Sequence, residues 1–290
     1  MTAPTDLTAV IVTYNSAAVI ERCLSTLPTD MPVIIVDNDS TDDTLARVEA
    51  CRPATMLIQQ GYNSGFGRAC NRGLRSMETG FGILINPDTV ISGEGLSALE
   101  EGMRQQPDVA VLAPRFTSDP DAITKTPVSP KIEDRAFVLG AGMVLRRRAF
   151  PDETYFDERI FLYSEDNDIC VSTRRRGHRV ACAINVVALH RGGESTDALE
   201  NDTSDKVRIM ARSAAFVILK HAGGRRYPAV RKMCIYGWHG ITFGLSGRRK
   251  ESRLWFARAG GILDVLRFGP DVLWDNRLTG GVTGPREQDS

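Results

Sequence analysis

Short apolar runs alternate with helical patterns through the first 90 residues, and this alternation restricts the fold more than any other feature of the sequence. The runs are rich in β-branched residues and have the length of buried strands. They cover residues 8–14, 32–36, 55–58 and 83–85. Strands that alternate with helices of this length predict βαβ units, and so an α/β fold with a mostly parallel sheet flanked by helices.

The second half of the chain is less regular. It predicts strands at 109–113, 137–145, 180–183 and 186–189 and helices at 96–103 and 164–176. Residues 117–134 are polar and contain prolines, so we expect a mobile loop near the functional site.

Polar residues predict where two of the helices begin. Ser40 and Asp43 have the approximate spacing of a capping box for the helix that follows the second strand. Ser164 is a favourable N-cap for a later helix, and Gly177 is a typical residue to end it.

The charges divide the chain into an acidic body and a basic appendage. Residues 1–205 contain 20 basic and 30 acidic residues, whereas 206–258 contain 13 Lys and Arg residues and one acid, Glu251. We expect a domain boundary near 205, amphipathic helices over 206–278 and a flexible tail at 279–290. A basic appendage suggests an anionic partner, either membrane lipid or nucleic acid. The alternatives are a solvated helical bundle or a homodimer surface.

Composition, cysteine usage and the lack of a visible membrane span or leader indicate the cellular compartment in which we expect the protein. Apolar residues make up 42% of the chain and charged residues 25%, as in soluble globular proteins. No apolar run approaches a membrane span, and no secretory leader is visible. The six cysteines are scattered without a CxxC pair, which favours a reducing cytosol over disulfides or zinc. We therefore expect a cytoplasmic protein, with the basic appendage as a candidate peripheral contact to the inner face of the membrane.

Hydrogen-bonding side chains gather at the predicted strand ends. They are Thr13, Tyr14 and Asn15 after the first strand, Asp37 and Asn38 after the second, and Asn86 and Asp88 after the fourth. Ligands of open α/β sheets bind at this edge, and these groups suit a base, a ribose and a metal. No strand is followed by GxGxxG or GxxxxGK[ST], so the dinucleotide and P-loop interpretations lose their usual support.

The stretch Asn86-Pro87-Asp88 is the most informative of these. Pro87 stops the preceding strand because proline has no N–H to donate to a ladder. Asp88 is thus held just past the carboxyl end of a buried strand, where one carboxylate could hold a hard cation on a diphosphate. The alternative is a simple polar turn.

Six segments, in this order, resemble motifs of the family 2 glycosyltransferases, which have the GT-A fold. They are Val12-Thr13-Tyr14-Asn15; Val36-Asp37-Asn38 with Ser40-Thr41-Asp42; Asn63-x-Gly65-Phe66-x-x-Ala69-x-Asn71-x-Gly73; Asn86-Pro87-Asp88; Glu165-Asp166-x-Asp168; and His190. The third and fourth are most similar to the branch that contains bacterial rhamnosyltransferases of cell-wall and surface polysaccharide assembly. The resemblance implies a catalytic domain over 1–205, with a nucleotide-sugar half to about residue 115 and an acceptor half at 116–205.

For the leaving group, the resemblance implies that Asn86-Pro87-Asp88 stands where many relatives have Asp-x-Asp. Asp88 is then the remaining charged ligand for Mg²⁺ or Mn²⁺, and weak metal dependence is plausible because Asn86 replaces an acid. His190 is a candidate second metal ligand or phosphate contact. The alternative for His190 is a capped histidine at a strand end.

For the base, the candidates are Glu165, Asp166 and Asp168, and the resemblance implies Asp166. The alternative is that all three acids serve the helix dipole at an N-terminus. Adjacent carboxylates repel, so one of them could have a raised pKa. The family chemistry is a single displacement with inversion and needs no covalent nucleophile.

For the nucleotide, Asp37 is the expected partner of a pyrimidine N–H, while Thr13, Tyr14 and Asn15 line the base and ribose. Asn38 lies beside them. The alternatives are a helix-capping Asp37 and a Tyr14 that only packs. Further residues are candidates for the diphosphate or ribose, namely Asn63, Arg68 and Asn71.

The sequence therefore predicts an inverting glycosyltransferase that uses a dTDP- or UDP-linked sugar, with L-rhamnose as one candidate. The expected acceptor is a lipid-linked or polysaccharide glycan of the cell envelope. One alternative is a catalytically inactive nucleotide- or glycan-binding protein of the same fold, which Asn86 alone supports. A weaker one makes 206–258 a nucleic-acid-binding module, although that segment carries no recognised motif.

Overall fold

The computed structural model describes residues 5–124, 128–190 and 203–274. Two compact units emerge. The sheet unit comprises Met1–Phe156 and Ile169–Asp197, and the helical unit comprises Asp157–Asp168 and Ala198–Ser290. We expected a single boundary near residue 205. In the structure, residues 157–168 also group with the C-terminal helices. The predicted tail at 279–290 lies outside the described residues.

The elements follow the predicted alternation closely in the first half of the chain. The strands are β1 (Leu7–Thr13), β2 (Val33–Asp37), β3 (Met56–Gln59), β4 (Phe81–Ile85), β5 (Thr89–Val90), β6 (Val109–Thr117), β7 (Ile132–Asp134), β8 (Gly142–Arg146) and β9 (Arg179–His190). The helices are α1 (Ile20–Ser25), α2 (Thr44–Cys51), α3 (Phe66–Arg75), α4 (Gly93–Gln105), α5 (Glu165–Arg175), α6 (Thr203–His221), α7 (Tyr227–Leu245) and α8 (Arg249–Phe268).

All described strands join one sheet, in the order β3-β2-β1-β4-β8-β6-β9-β5, with β7 paired to β9. The predicted α/β fold is confirmed. Strands β1 to β4 pair in parallel, as do β6 and β9. Strand β8 runs antiparallel between β4 and β6, and β5 and β7 run antiparallel to β9. The strand ends of the first half therefore share one edge of the sheet.

Burial explains why these runs form strands. Every residue of β1, β2 and β4 is buried, because helices cover both faces of a parallel sheet. Strand β3 pairs with β2 alone and lies at the edge of the sheet, so Met56 and Leu57 remain 51% and 41% exposed. The apolar side chains above and below the strands form two separate clusters, one on each side.

Four details differ from the sequence-based expectation. The strand expected at 137–145 begins only at Gly142, and Phe137 and Leu139 before it are exposed. The strands expected at 180–183 and 186–189 form the single strand β9, because a register irregularity opposite Pro114 and Arg115 absorbs the intervening residues. The loop expected at 117–134 contains a 3₁₀ turn (Pro120–Ala122) and β7, and residues 125–127 lie outside the described part. The capping box does not form, because the Ser40 hydroxyl donates to Asp37 instead and α2 starts at Thr44.

The helical unit has its own apolar core. Ile160 and Phe161 from the short segment pack with residues of α6 and α8, among them Phe216 and Ile262. Helices α6 and α8 approach closely at Gly261, where a Cβ atom would lie 2.4 Å from the carbonyl oxygen of Arg208. Among the described residues, no helix is both long enough and apolar enough to cross a membrane.

Candidate active site

The ends of β1 and β2 are joined by a network centred on Asp37. Asp37 is 2% exposed, and its Oδ1 accepts hydrogen bonds from the hydroxyls of Thr13 (2.7 Å) and Ser40 (2.6 Å). Its Oδ2 accepts from the Ser40 amide at 2.9 Å. The structure thus brings the predicted residues together and gives Asp37 a part in the local fold. Its contact with a nucleobase stays a prediction.

Asn15 and Asn38 extend this network to the neighbouring loops. Asn15 has a left-handed backbone (φ +49°), and its Oδ1 accepts from the Thr41 amide at 2.8 Å. Tyr14 beside it is half-buried. The buried side chain of Asn38 bridges to the loop before α3, accepting from the Ser64 hydroxyl at 2.8 Å and donating to the Gly65 carbonyl at 3.2 Å. The strand-end residues Asn15 and Asn38 are therefore held in place by the neighbouring loops.

The three candidate residues of the motif segment 63–73 are Asn63, Arg68 and Asn71, and they differ in how deeply they are buried. Asn63 Oδ1 accepts from the Gly65 amide at 3.1 Å, and Gly65 itself needs its positive φ of +76° to turn the chain into α3. Arg68 donates from Nη1 to the Tyr62 hydroxyl at 3.3 Å. Asn71 differs, because it is completely buried.

Asn71 is a structural residue in this geometry. Its amide nitrogen donates to the Phe156 carbonyl and its oxygen accepts from the Phe156 amide, both at 2.9 Å. Both ends of the side chain are therefore committed to the main chain of a distant segment. Contact of Asn71 with the diphosphate or ribose stays a prediction, and the structure gives the residue a part in the local fold instead.

Asp88 and His190 meet at the end of the sheet. Thr89 pairs with His190 in the β5–β9 ladder, and this register places Nδ1 of His190 3.3 Å from Oδ1 of Asp88. The same nitrogen lies 3.1 Å from the Thr89 hydroxyl. Two residues about one hundred positions apart in the chain thus form the acid–imidazole pair that the motifs predict.

The Asp88 carboxylate is buried, and within the described ranges its closest polar contact of opposite charge is Nδ1 of His190. The residue is 1% exposed, and neither of its oxygens has a hydrogen-bond partner among the described residues. Oδ1 of Asn86, two residues earlier, is likewise buried and unpartnered in the described part of the chain. A buried carboxylate left in this state is costly unless a cation or donor joins it. These oxygens consequently fit a ligand that is itself cationic.

A divalent cation fits this donor set only with help from the substrate. Asp88 and His190 would supply two ligands, and no group of three His, Cys, Asp or Glu side chains that could hold a metal occurs among the described residues. Mg²⁺ typically takes one or two carboxylates together with substrate phosphates and water. The residues present therefore suit a cation that arrives with a diphosphate.

Cys23 lies against the same turn and was not identified from the sequence. Its thiol is fully buried and donates to the Asn86 carbonyl over 3.7 Å. Burial, together with the charge of Asp88, raises the pKa of the Cys23 thiol to about 12. The thiol thus stays protonated and supports the turn as a small neutral donor. Its spacing within α1 carried no signal of this contact.

Glu165 and Asp166 start α5 and belong to the helical unit. The two residues before them, Tyr163 and Ser164, both have φ +68°, a backbone conformation that non-glycine residues rarely adopt. Ser164 thus precedes the helix as predicted, but without the extended backbone typical of an N-cap. Such conformations cluster at functional sites, where the surrounding structure enforces them.

The two adjacent acids have different environments. Oε2 of Glu165 is buried and has no hydrogen-bond partner among the described residues. Burial, and secondarily the charge of Asp166, raises the pKa of Glu165 to about 8. Glu165 is therefore protonated at neutral pH and does not repel a negative charge on Asp166. The expected repulsion between adjacent acids is resolved by neutralising Glu165.

Asp168 is occupied by ion pairs within the helical unit. Its oxygens lie 2.7 Å from Nζ of Lys220 and 2.8 Å from Nε2 of His221. Lys220 also contacts Asp157 at 2.8 Å. Burial by itself favours protonation of Asp157, but hydrogen bonds from Arg159 and Lys220 outweigh it and hold the pKa of Asp157 well below its ordinary value. Of the three candidate bases, Asp168 is thus part of a structural cluster whose basic members the sequence did not identify.

The comparisons with known proteins agree with this fold. A family profile described as "Glycosyl transferase family 2" matches residues 8–182 of this chain. An N-acetylglucosaminyl-diphospho-decaprenol L-rhamnosyltransferase of Mycobacterium tuberculosis is 25% identical, with 77% of this chain and 87% of that protein covered.

Two solved structures share the architecture. Residues 1–349 of S. aureus TarS in complex with UDP-GlcNAc superpose with a TM-score of 0.58 at 19% identity, covering 93% of this chain and 84% of that one. A mannosyltransferase of Pyrobaculum calidifontis in complex with GDP-Man and Mn²⁺ superposes with a TM-score of 0.59 at 17% identity. The match covers 92% of this chain and 89% of that one. These likenesses show a glycosyltransferase fold of the GT-A type.

The family profile spans more than half of the chain, and so the chain belongs to glycosyl transferase family 2. The resemblance stated from the motifs is thereby confirmed, as is the assignment to the hexosyltransferase class of enzymes.

Proposed function

We propose that this enzyme transfers a hexose, with inversion, from a nucleotide diphosphate sugar to a hydroxyl of a lipid-linked or polysaccharide acceptor in cell-envelope glycan synthesis. The observation that carries the proposal is the buried Asp88 carboxylate, which lies 3.3 Å from Nδ1 of His190 and accepts no hydrogen bond from the described residues. A site of this kind is suited to a cation–diphosphate group, because a cation would complete the coordination of the buried oxygens.

A pyrimidine nucleotide is the proposed donor. The side chains of Thr13 and Asp37 are hydrogen-bonded to each other, and those of Asn15 and Asn38 are held by Thr41 and Ser64. Together they would form a polar, preorganised edge of the sheet for a base and ribose. TarS was solved with UDP-GlcNAc, which supports a uridine or thymidine base, whereas the Pyrobaculum enzyme was solved with GDP-Man. The rhamnosyltransferase relative supports L-rhamnose as the sugar.

The chemistry divides between two carboxylates. Asp166 accepts the proton of the acceptor hydroxyl, whose oxygen attacks the anomeric carbon as the bond to the diphosphate breaks. Attack opposite the leaving group inverts the anomeric centre. Asp88 and His190 would hold a divalent cation, and the chemistry it would supply is neutralisation of the charge on the departing diphosphate. Asn86 would position its carboxamide oxygen on the same group.

Asp88→Asn tests this proposal. In the wild type, we expect UDP or dTDP to raise the melting temperature, and Mn²⁺ to increase that shift, because ligands that bind the native state stabilise it. In the variant, the Mn²⁺-dependent increment is expected to disappear, while the shift in nucleotide alone persists. Asp152→Asn, an exposed carboxylate of the same unit, is the matched control. A full Mn²⁺ increment in Asp88→Asn would show that the cation binds elsewhere.

We further propose that α7 contacts an anionic membrane surface, as the basic appendage led us to expect. Tyr227, Trp238, Ile241 and Leu245 fall on one side of the helix and are 74%, 65%, 48% and 86% exposed. Basic residues flank both ends of this stripe, at 225–226 and 248–250. An apolar stripe bordered by cations is typical of a helix that lies in the lipid interface.

Vesicle flotation tests the membrane contact. Wild-type protein is expected to float with phosphatidylglycerol vesicles at low salt and to bind phosphatidylcholine vesicles weakly. The double variant Trp238→Ser, Leu245→Ser is expected to lose most of this binding, whereas Leu57→Ser, an exposed apolar residue of β3, retains it. If the double variant instead converts a dimer into a monomer in gel filtration, the stripe is a subunit contact and the membrane proposal is wrong.

A further inference from the structure

A cavity of about 350 Å³ lies within the helical unit and is lined by that unit alone. Its walls come from the segment before and at the start of α5 and from α6, α7 and α8. The residues that matter for its chemistry are Asp166, Asn167, Met210, Lys232, Tyr236 and Arg258. The residue implied as the catalytic base therefore opens into a cavity that the C-terminal helices build.

Three kinds of surface meet in this cavity. Asp166 and Asn167 contribute a polar end with one carboxylate. Lys232 from α7 and Arg258 from α8 contribute two cations. The wall from α6 is apolar and includes Val207 and Met210. A ligand that fills such a cavity is expected to combine a hydroxyl-bearing part, an anionic part and an apolar part.

Within the described part of the chain, no carboxylate neutralises either of the two cations. Neither Lys232 nor Arg258 forms an ion pair with a carboxylate among the described residues, since each is placed against an aromatic ring instead. Lys232 Nζ lies 5.7 Å from the centroid of Tyr236, and the Arg258 guanidinium lies 4.6 Å from that of Trp255.

Other cations of the same unit are paired. Arg208 and Arg212 both bind Asp264, at 2.8 and 2.7 Å, and Lys220 binds Asp157 and Asp168. The contrast separates basic residues that hold the unit together from Lys232 and Arg258, which line the cavity without a carboxylate partner among the described residues. Arginine and lysine with free donors are the groups that proteins use for phosphate oxygens.

We infer that this cavity is the acceptor site and that its ligand is a sugar linked through diphosphate to a polyprenyl chain. Lys232 and Arg258 bind the diphosphate, the first part of the lipid lies along Val207 and Met210, and the acceptor hydroxyl faces Asp166. The proton of that hydroxyl passes to Asp166 as its oxygen bonds to the donor sugar. The inference rests on the proposed glycosyl transfer and adds the class of acceptor and the residues that select it.

Isothermal titration of the full chain with farnesyl diphosphate, a soluble prenyl diphosphate, tests the site directly. Lys232→Gln and Arg258→Gln are each expected to weaken binding roughly 10- to 100-fold, the effect of losing a charge-assisted hydrogen bond. Arg231→Gln and Arg253→Gln remove exposed charges one and five residues away on the same helices, and binding should match the wild type.

Three further ligands identify which part of the molecule is recognised. Farnesol and inorganic pyrophosphate should both bind at least tenfold more weakly than farnesyl diphosphate, since each lacks one half of it. Equal binding of pyrophosphate would show a plain anion site and overturn the lipid assignment. Equal affinity of all variants for farnesyl diphosphate, or no binding at all, would overturn the inference. Displacement of farnesyl diphosphate by UDP would mean that it occupies the donor site.

Kinetics separate this inference from the proposed function. With a prenyl-diphosphate-linked acceptor, Lys232→Gln and Arg258→Gln are expected to raise the acceptor KM while the donor KM and donor hydrolysis stay unchanged. If the wild type transfers sugar and the variants have its acceptor KM, only the acceptor site is wrong. If the wild type neither hydrolyses nor transfers any nucleotide sugar, the proposed function itself fails.

Discussion

Replacement of Asp166 by Asn is expected to lower the turnover number by about 10²- to 10⁴-fold, the usual contribution of a positioned general base. Asparagine keeps the size and hydrogen-bonding shape of the side chain but cannot accept the acceptor proton. The Asp166 Oδ1 atom accepts from the Asn167 amide at 2.8 Å, and the amide oxygen of Asn can keep this contact. We therefore expect the melting temperature and the affinity for the nucleotide to stay at wild-type values. Single-turnover rates and thermal shifts with UDP or dTDP measure the two halves of this prediction.

Glu165→Gln provides the comparison for Asp166→Asn. Because the pKa of Glu165 is raised to about 8, glutamine reproduces the neutral state that the wild type has at pH 6–7. The rate at that pH is expected to fall far less than in Asp166→Asn. Above about pH 8 the wild type gains a second negative charge, so its pH–rate profile should bend there and that of Glu165→Gln should not. Retention of turnover by Asp166→Asn, with loss in Glu165→Gln, would reverse the two roles.

Replacement of Asp168 by Asn is expected to destabilise the helical unit by about 3 kcal/mol, near the lower end for breaking a buried ion pair. Asp168 is 3% exposed and accepts from both Lys220 and His221. Asparagine removes the charge and leaves Lys220 with Asp157 alone. The expected result is a lower urea midpoint for the helical unit.

Substitutions of Asp166 and Asp168, which lie in the same helical turn, are thus expected to have different effects. Asp166→Asn changes turnover and leaves stability intact, whereas Asp168→Asn changes stability first. Glu251→Gln, which breaks the exposed Arg248–Glu251 pair of α8, is the control and is expected to cause no measurable change. If Asp168→Asn unfolds at the wild-type urea concentration, the ion-pair cluster contributes nothing net and Asp168 returns as a candidate base.

The sequence was sufficient for the sheet and for most of the strand-end site. Runs such as 8–14 and 83–85 are buried on both faces, so their apolar and β-branched composition alone identifies them as strands. Pro87 ends β4 by a local rule, which places Asp88 at the edge of the sheet. The ordered motifs then identified the family, since motif spacing survives where overall identity has fallen to 25%.

Local rules failed where a distant partner competed for the same group. Ser40 has the composition of a capping residue, yet its hydroxyl donates to the buried Asp37, so no capping box forms. Asn71 carries a motif amide, but both of its polar atoms bind Phe156, which lies 85 residues away. A buried polar group takes whichever partner the tertiary fold brings to it.

The sequence by itself determined that Glu165, Asp166 and Asp168 share a helix start, and that adjacent carboxylates there repel. Only the tertiary structure decided their separate states. Asp168 finds Lys220 and His221, more than 50 residues away, and remains paired. Glu165 is buried without a partner and is neutral, while Asp166 opens into the cavity of the helical unit. Burial and long-range pairing depend on which segments pack together, and no short stretch of sequence contains that information.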